Sequence, residues 1–378
     1  MEITQLSKEE LNRYARHIII PEINLDGQKK LKAAKVLVIG AGGLGSPVLL
    51  YLAAAGIGTI GIVDFDVVED SNLQRQVLYG VNDVGRNKTE AAKERILNLN
   101  PFINVITYPE KITSNNAIEI IKNYDIVADG TDNFGTRYLI NDACVLTKKP
   151  NVFASISKFE GQVSVFNLNG GPNYRDLFPE SPAPGSVPNC AEGGVLGVLP
   201  GIIGSMQANE VIKIITGIGE PLTGKLFTFN ALTFATQIFK INKDKNNPLN
   251  GETPTINTLS DSAEGCSTNE TETHINEISP IALKQKIDNN EDFHLIDVRT
   301  PQEYNAVNIG GTLIPLNTLL EHTDSISTNK PVIVLCKSGA RSIMAIKILQ
   351  QKGFTNLINL KGGIMAYAQE VDNTLPLY

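Results

Sequence analysis

Residues 36–48 read VLVIGAGGLGSPV. An apolar run passes into a G-x-G-x-x-G array, Gly40, Gly42 and Gly45, and the last of these opens a helical pattern, GSPVLLYLAAAG. A strand that turns into a helix through glycines lets backbone N–H groups and the helix N-terminus approach a phosphate, because no side chain intervenes. Asp64 ends the next apolar run, TIGIVDFD, about 20 residues on, where a carboxylate accepts from ribose hydroxyls. By itself the array specifies a nucleotide or dinucleotide, with NAD the default ligand.

The alternation continues outward from this stretch. KVLVIG, TIGIVDFD, YDIVADG and PNVFASI are short apolar runs closed by Gly or Asp, and patterns such as NKTEAAKERILNLN lie between them. Strands alternating with helices predict an α/β fold with a Rossmann-like, doubly wound, mostly parallel sheet over residues 1–242. Near residue 242 the composition shifts to Asn, Thr, Ser and acidic residues, NKDKNNPLNGETPTINTLSDSAEGCSTNETETH, and residues 243–275 read as a linker. Beyond it, DFHLIDVRT, LIPL and PVIVLCKSG alternate with the helix candidates SPIALKQKI and RSIMAIKILQQKG, so residues 276–378 form a second, smaller α/β domain. No internal repeat is visible.

Composition agrees with two domains. At 378 residues the chain exceeds the usual size of a single core. A net charge of −7 argues against non-specific nucleic-acid binding and against an anionic membrane surface, both of which reward a basic excess. The opening MEITQLSKEELNRYARHIII lacks a basic segment followed by an apolar core, and Gly and Pro interrupt the longest apolar run, VLGVLPGIIG. A soluble, cytoplasmic protein is expected. Cys144, Cys190, Cys266 and Cys336 are scattered without a C-x-x-C pair, which suits reduced thiols, so a cysteine that matters here is a nucleophile.

The residues after the glycine array change the default ligand. DVVEDSNLQRQ and VGRNKTE bring Arg75 and Lys88 toward the C-terminal edge of the sheet, and ADGTDN ends a later strand with Asp132 and Asn133. Hydride transfer has no use for this set. Attack on a nucleotide α-phosphate does, because the departing pyrophosphate must be neutralised by guanidinium, ammonium and carboxylate-held magnesium.

RYARHI, GAGGLGSP, DFDVVEDSNLQRQ, DGTDN and CAEGGVLG, in this order, resemble the MoeB/ThiF/HesA adenylating enzymes, bacterial relatives of ubiquitin-activating enzymes, over roughly residues 5–240. The resemblance implies ATP-dependent adenylation of the C-terminal Gly-Gly carboxylate of a small ubiquitin-like sulfur carrier of the MoaD or ThiS kind. Matched by motif, Asp64 would hold the ribose, Asn72, Arg75 and Lys88 the phosphates, and Asp132 a magnesium ion. Gly40, Gly42, Gly43, Gly45, Asp66, Ser71 and Asn133 complete the implied nucleotide site, with Arg75 also catalytic. Arg16 would reach the triphosphate of the neighbouring subunit, which implies a homodimer. Adenylation is chemically apt, since a free carboxylate resists nucleophiles and AMP is a good leaving group.

Cys190, in the Pro- and Gly-rich PGSVPNCAEGGVLG, matches a family cysteine linked to a thioester or disulfide step with the carrier. The bland alternative is a small buried apolar residue. One departure from the family stands out. Most relatives carry a structural zinc held by two C-x-x-C pairs, where this chain has Asn173 and Asp176, and then Asn247 and Asn250. An amide oxygen is a poor substitute for a zinc thiolate, so no zinc is expected and the loops there become candidates for mobility.

Residues 334–342, VLCKSGARS, follow a strand and precede a helix. Cys336 is then expected at the floor of a loop of inward N–H groups, where the helix N-terminus, Lys337 and Arg341 favour a thiolate or persulfide anion. With LIDVRTPQEYNAVNIGGTLIPL and LKGGIMAYA flanking it, this region resembles rhodanese sulfurtransferases, with Cys336 and Arg341 in the active loop and Asp297 and Arg299 as a structural pair. Asn308 and Gly310 stand where relatives often have His and Pro. The whole arrangement resembles the molybdopterin-synthase sulfurylases. It implies that an acyl-adenylate made in front is consumed by a Cys336 persulfide behind, charged by a cysteine desulfurase or thiosulfate, with the linker giving roughly millimolar effective concentration. Carriers for molybdopterin, thiamine and tRNA thiolation all remain open. Two rivals are an NAD-dependent oxidoreductase fused to a sulfurtransferase, and a degenerate adenylating scaffold with only rhodanese activity.

Overall fold

KVLVI forms strand β1 (Lys35–Ile39), exposed only at Lys35 and buried along the rest. Its unbroken apolar run is what a strand covered on both faces requires, and β2 (Thr59–Val63) and β4 (Ile126–Asp129) read the same way. With β3 (Asn104–Tyr108) and β5 (Asn151–Ser157) they make five parallel strands, ordered β3-β2-β1-β4-β5. The order reverses between β1 and β4, and in such a sheet ligands lodge beyond the strand C-termini at that point. The computed structural model describes residues 5–181, 194–260 and 275–376, so Cys190 and Cys266 lie outside the described residues.

The parallel sheet continues into an antiparallel meander, β6 (Glu160–Phe166), β7 (Lys225–Asn230) and β8 (Thr236–Lys240). β5 turns straight into β6 without a helix, and from there the pairing is antiparallel, which the repeated βα pattern did not foretell. The Leu199–Thr216 helix packs on the Gly45–Ala55 helix and lies against β5 and β6. Gly56 and Gly217 end these helices at φ 83° and 81°, a left-handed backbone that glycine adopts without a Cβ penalty.

The chain divides into units Met1–Cys266 and Ser267–Tyr378. Residues 243–260, which composition assigns to the linker, belong to the first unit. Leu249 and Asn247 are buried, and Leu259 packs on a core cluster with Ile112 and Tyr124. Four polar side chains fasten this segment. Asp176 Oδ1 accepts from Asn247 Nδ2 (2.8 Å) and from the Asp244 N–H (2.8 Å), its Oδ2 accepts from the Asn173 N–H (2.7 Å), and Asn173 Nδ2 donates to Asn250 Oδ1 (3.0 Å). Asn and Asp look like loop composition, but once buried and mutually satisfied they act as a clasp.

These are the positions at which the resemblance implies zinc. The donor set does not suit that metal: it holds no thiolate or imidazole, and the single carboxylate already accepts three hydrogen bonds. The mobility expected of these loops is corrected by the same hydrogen bonds, which tie the two turns together.

In the second unit, five parallel strands run β11-β10-β12-β13-β9: β9 (Asn276–Ile278), β10 (His294–Asp297), β11 (Thr312–Leu313), β12 (Val332–Leu335) and β13 (Leu357–Leu360). Every residue of the central strand β12 is buried, and the chain leaves it directly into Cys336. Among the described residues no helix is long and apolar enough to cross a membrane.

Candidate active sites

A cleft of about 360 Å³ opens beyond the C-terminal ends of β1 and β4, at the switch point. Its floor is the glycine array. Gly40 has φ +90°, and a Cβ there would meet the Gly130 carbonyl oxygen at 3.0 Å. At Gly45 a Cβ would lie 2.0 Å from the Gly40 carbonyl oxygen, so only glycine lets the helix start this close to the strand. Gly40, Gly42 and Gly43 line the cleft, whereas Gly45 lies behind it as packing.

The charged residues expected from sequence converge here. Asp64, Asp66, Asn72, Arg75, Lys88 and Asp132 all line the cleft, and Asn133 joins them. Asp64 Oδ2 accepts from the Ala41 N–H (2.8 Å) and Oδ1 from the Asp66 N–H (2.9 Å). Burial raises its pKa, opposed by the Lys88 charge and these hydrogen bonds. Lys88 is buried and paired with Asp66 at 2.9 Å, so a phosphate reaching Lys88 must compete with that carboxylate. Arg75 Nη1 donates to the Ser71 carbonyl (3.0 Å), while Ser71 braces the turn beside the cleft, within hydrogen-bond distance of Glu69 Oε2 (3.2 Å) and Asn72 Nδ2 (3.3 Å).

Arg16 is placed elsewhere. It lies exposed on the Ala15–Ile18 helix, next to Tyr14, whose ring packs over Gly56 at the far end of the Gly45–Ala55 helix. That helix has 11 residues, a length of about 16 Å, and Arg16 does not line the cleft of its own chain.

Sequence reading missed Gln76, Thr131 and Arg137, which also line the cleft. Arg137 is hard to find from sequence because it stands in the first turn of the Phe134–Leu146 helix, ahead of the mostly apolar YLINDACVL, and resembles any helix arginine. Beneath Asp132, Asp129 is fully buried and its pKa is raised by desolvation, opposed first by the Arg137 charge. Asn133 caps the Phe134–Leu146 helix, its Oδ1 accepting from the Thr136 N–H at 2.8 Å, and so fixes where the acidic turn ends.

In the second unit Cys336 is 1% exposed. Its Sγ accepts from the Gly339 N–H at 3.1 Å and lies 3.4 Å from the Ser342 hydroxyl, itself 2.7 Å from Asn359 Oδ1. Gly339 has φ +100°, which bends the loop so that its amide turns back on the sulfur. From outside, the Ile364 and Met365 N–H groups donate to the carbonyls of Cys336 and Lys337. Asp297 and Arg299 form a buried pair, with Arg299 Nη2 at 2.6 Å from Asp297 Oδ2 and donating also to the Val307 carbonyl.

Arg341 departs from expectation. Its Nη1 and Nη2 donate to Glu303 Oε2 (2.8 Å) and Oε1 (2.6 Å), a two-pronged pair that ties the helix after the active loop to the Pro301–Ala306 helix. Burial opposes ionisation of Glu303, but hydrogen bonds from Arg341 and the Thr300 backbone prevail and lower its pKa to about 2. The guanidinium charge expected beside the thiol is thus engaged by a carboxylate, and the backbone supplies the sulfur's hydrogen bond.

Residues 14–250 match the ThiF family and residues 279–370 the rhodanese-like domain. The chain is 46% identical to a probable adenylyltransferase/sulfurtransferase MoeZ of Mycobacterium tuberculosis, over 99% of this chain and 96% of the relative. It is 39% identical to adenylyltransferase and sulfurtransferase MOCS3 of Aedes aegypti, over 100% and 91%. A sulfur carrier protein adenylyltransferase of Thermus thermophilus is 50% identical, over 69% of this chain and 98% of the relative. Among solved structures, E. coli MccB with ATP superposes with a TM-score of 0.55 at 25% identity, covering 64% of this chain and 75% of that one.

 With both domain matches and full-length relatives in agreement, the chain belongs to the ThiF family, as an adenylyltransferase carrying a C-terminal rhodanese-type sulfurtransferase domain.

Proposed function

We propose that the first unit adenylates the C-terminal Gly-Gly carboxylate of a small ubiquitin-like sulfur carrier, and that the second converts the product to a thiocarboxylate. One observation carries this reading: a single chain holds both a switch-point cleft rimmed by Arg75, Lys88 and Asp132 and a thiol cradled by a backbone amide. An oxidoreductase would need neither the cationic rim nor the thiol.

In the first step a carboxylate oxygen of the carrier attacks the α-phosphorus of ATP, the bond to the bridging oxygen breaks, and pyrophosphate leaves. Asp64 holds the ribose, the glycine-array amides meet the phosphates, and Arg75 and Lys88 neutralise the departing charge. Magnesium suits the rim, since it takes one or two carboxylates plus substrate phosphates, and the carboxylates of Asp66 and Asp132 line the cleft. Asp132, with Asn133 beside it, would hold that ion, which would neutralise phosphate charge. The exposed position of Arg16, remote from its own cleft, supports a homodimer in which each cleft is completed by Arg16 of the partner subunit.

In the second step the terminal sulfur of a Cys336 persulfide attacks the acyl carbon and expels AMP, leaving the acyl group on the sulfur. A second thiol then attacks the Cys336 sulfur, releasing the thiocarboxylate and forming a disulfide that a cellular thiol reduces. Cys190 is the candidate second thiol. A cysteine desulfurase or thiosulfate would recharge Cys336, and the reaction would run in the cytoplasm. A relative named probable molybdopterin-synthase adenylyltransferase, from Porphyra purpurea and 40% identical over 98% of this chain, supports a molybdopterin-type carrier over a thiamine-type one.

The test incubates the full chain with ATP, magnesium and each Gly-Gly-ended ubiquitin-fold protein of the source cell. Pyrophosphate release, and an intact-mass shift of one oxygen replaced by sulfur on a molybdopterin-type carrier, are expected. No pyrophosphate with any carrier overturns the reading.

A further inference from the structure

Asp132 stands exposed at the tip of the acidic turn, but the turn beneath it is held from three sides. Within the turn, Asp129 Oδ1 accepts from the Thr131 N–H (2.9 Å) and hydroxyl (2.7 Å). From the Leu199–Thr216 helix, Gln207 Nε2 donates to the carbonyls of Asp129 (2.8 Å) and Val152 (2.7 Å). From the Phe134–Leu146 helix, Arg137 donates to the Thr131 carbonyl through Nη2 (2.9 Å) and Nε (3.3 Å). Asp129, Gln207 and Arg137 are 1%, 0% and 6% exposed, so this brace is part of the core rather than a surface contact.

Arg137 is itself held. Its guanidinium carbon lies 5.6 Å from the Phe134 ring centroid and 5.5 Å from that of Phe153, and the Phe153 ring in turn lies 5.4 Å from that of Tyr174. Tyr174 follows Asn173 directly, and its N–H donates to Asn141 Oδ1 at 2.8 Å. A contiguous path therefore runs from the polar clasp through Tyr174 and the Phe153 ring to Arg137 and the backbone that presents Asp132.

We propose that Arg137 is a positioning residue for adenylation: by holding the Thr131 carbonyl it fixes the turn from which Asp132 reaches the magnesium of bound ATP. The inference rests on the adenylation reading above. Partners that orient a metal ligand from behind change metal affinity by about 10- to 100-fold when removed. Their loss shows in the metal dependence rather than in the fold.

The experiment is a magnesium titration of ATP binding, by calorimetry, and of carrier-dependent ATP–pyrophosphate exchange, with the full-length chain and its R137M and R137K variants. R137M is expected to raise the magnesium concentration for half-maximal binding and exchange by about tenfold or more. R137K, whose ammonium can donate a single hydrogen bond to Thr131, should recover part of the shift and leave about two- to fivefold. Wild-type magnesium dependence in R137M overturns the proposal, even where thermal stability falls. If R137M does not fold, R137K decides, and wild-type magnesium dependence in it overturns the proposal. A wild-type chain that shows no exchange with any carrier defeats the adenylation reading instead, which separates the two failures.

Discussion

The two sites handle negative charge in opposite ways. The front cleft is open and lined by ionised side chains, with Asp132 exposed and Lys88 held in reserve by Asp66. The rear site is closed, with a thiol 1% exposed and the guanidinium of Arg341, five residues on, bound to Glu303. A triphosphate carries several charges and needs mobile countercharges that can exchange partners. A single sulfur anion needs only a fixed backbone donor, because a full unpaired cation in so small and buried a loop would be costly. The chain therefore places side-chain charge where charge must be moved, and backbone amides where it must be stored.

The largest test of this contrast separates the sites. Cys336→Ala should abolish thiosulfate sulfurtransfer while leaving ATP–pyrophosphate exchange intact, and Asp132→Ala should do the reverse. If either substitution removes both activities or neither, the division fails. Next, Lys88→Ala should reduce exchange by about 10²- to 10³-fold, the usual loss when a donor to developing charge is removed. An Asp66→Asn variant, freeing Lys88 from its ion pair, sharpens the point by tightening ATP binding in a direct binding measurement.

A smaller effect concerns the clasp. Asp176→Ala removes the acceptor of three hydrogen bonds and should lower the unfolding free energy by about 1–3 kcal/mol, read by denaturant titration of the full chain. Chelators should leave the wild-type transition unmoved. A chelator-sensitive transition would show that a metal, rather than the clasp, holds these turns.

The smallest is a pH effect in the rear unit. Glu303 has a pKa lowered to about 2 by its hydrogen bonds, so its contribution to stability is fully present above its ordinary 4.5 and is lost as pH falls from there toward 2. Glu303→Gln should flatten the stability profile across that window, measured by thermal unfolding at successive pH values. An unchanged profile would mean that the Arg341 pair contributes nothing to the loop.

Much of this was legible along the chain. The glycine array, Asp64 and Cys336 stand out because each sits at a strand end, where local pattern and chemistry coincide, and Lys88 because it opens the helix after VGRN. The polar segment after residue 242 was misleading for a physical reason: Asn and Asp look alike in a solvated linker and in a buried hydrogen-bonded turn, and only the partners distinguish them. Arg341 was assigned to the thiol because its partner, Glu303, lies 38 residues away and has no local signature. Arg137 escaped notice since its role is to hold a carbonyl six residues earlier, not to touch the nucleotide.

The sequence alone determined the parallel strands β1, β2, β4 and β5, the glycine floor of the cleft and the placement of a thiol after a buried strand, because each depends on residues adjacent in the chain. The tertiary structure decided which charges are free and which are spent: Lys88 on Asp66, Arg341 on Glu303, Arg137 on the Thr131 carbonyl, and four polar side chains on one another. Pairing of charge and hydrogen-bond donors is a matter of distance in space, which a linear pattern does not encode.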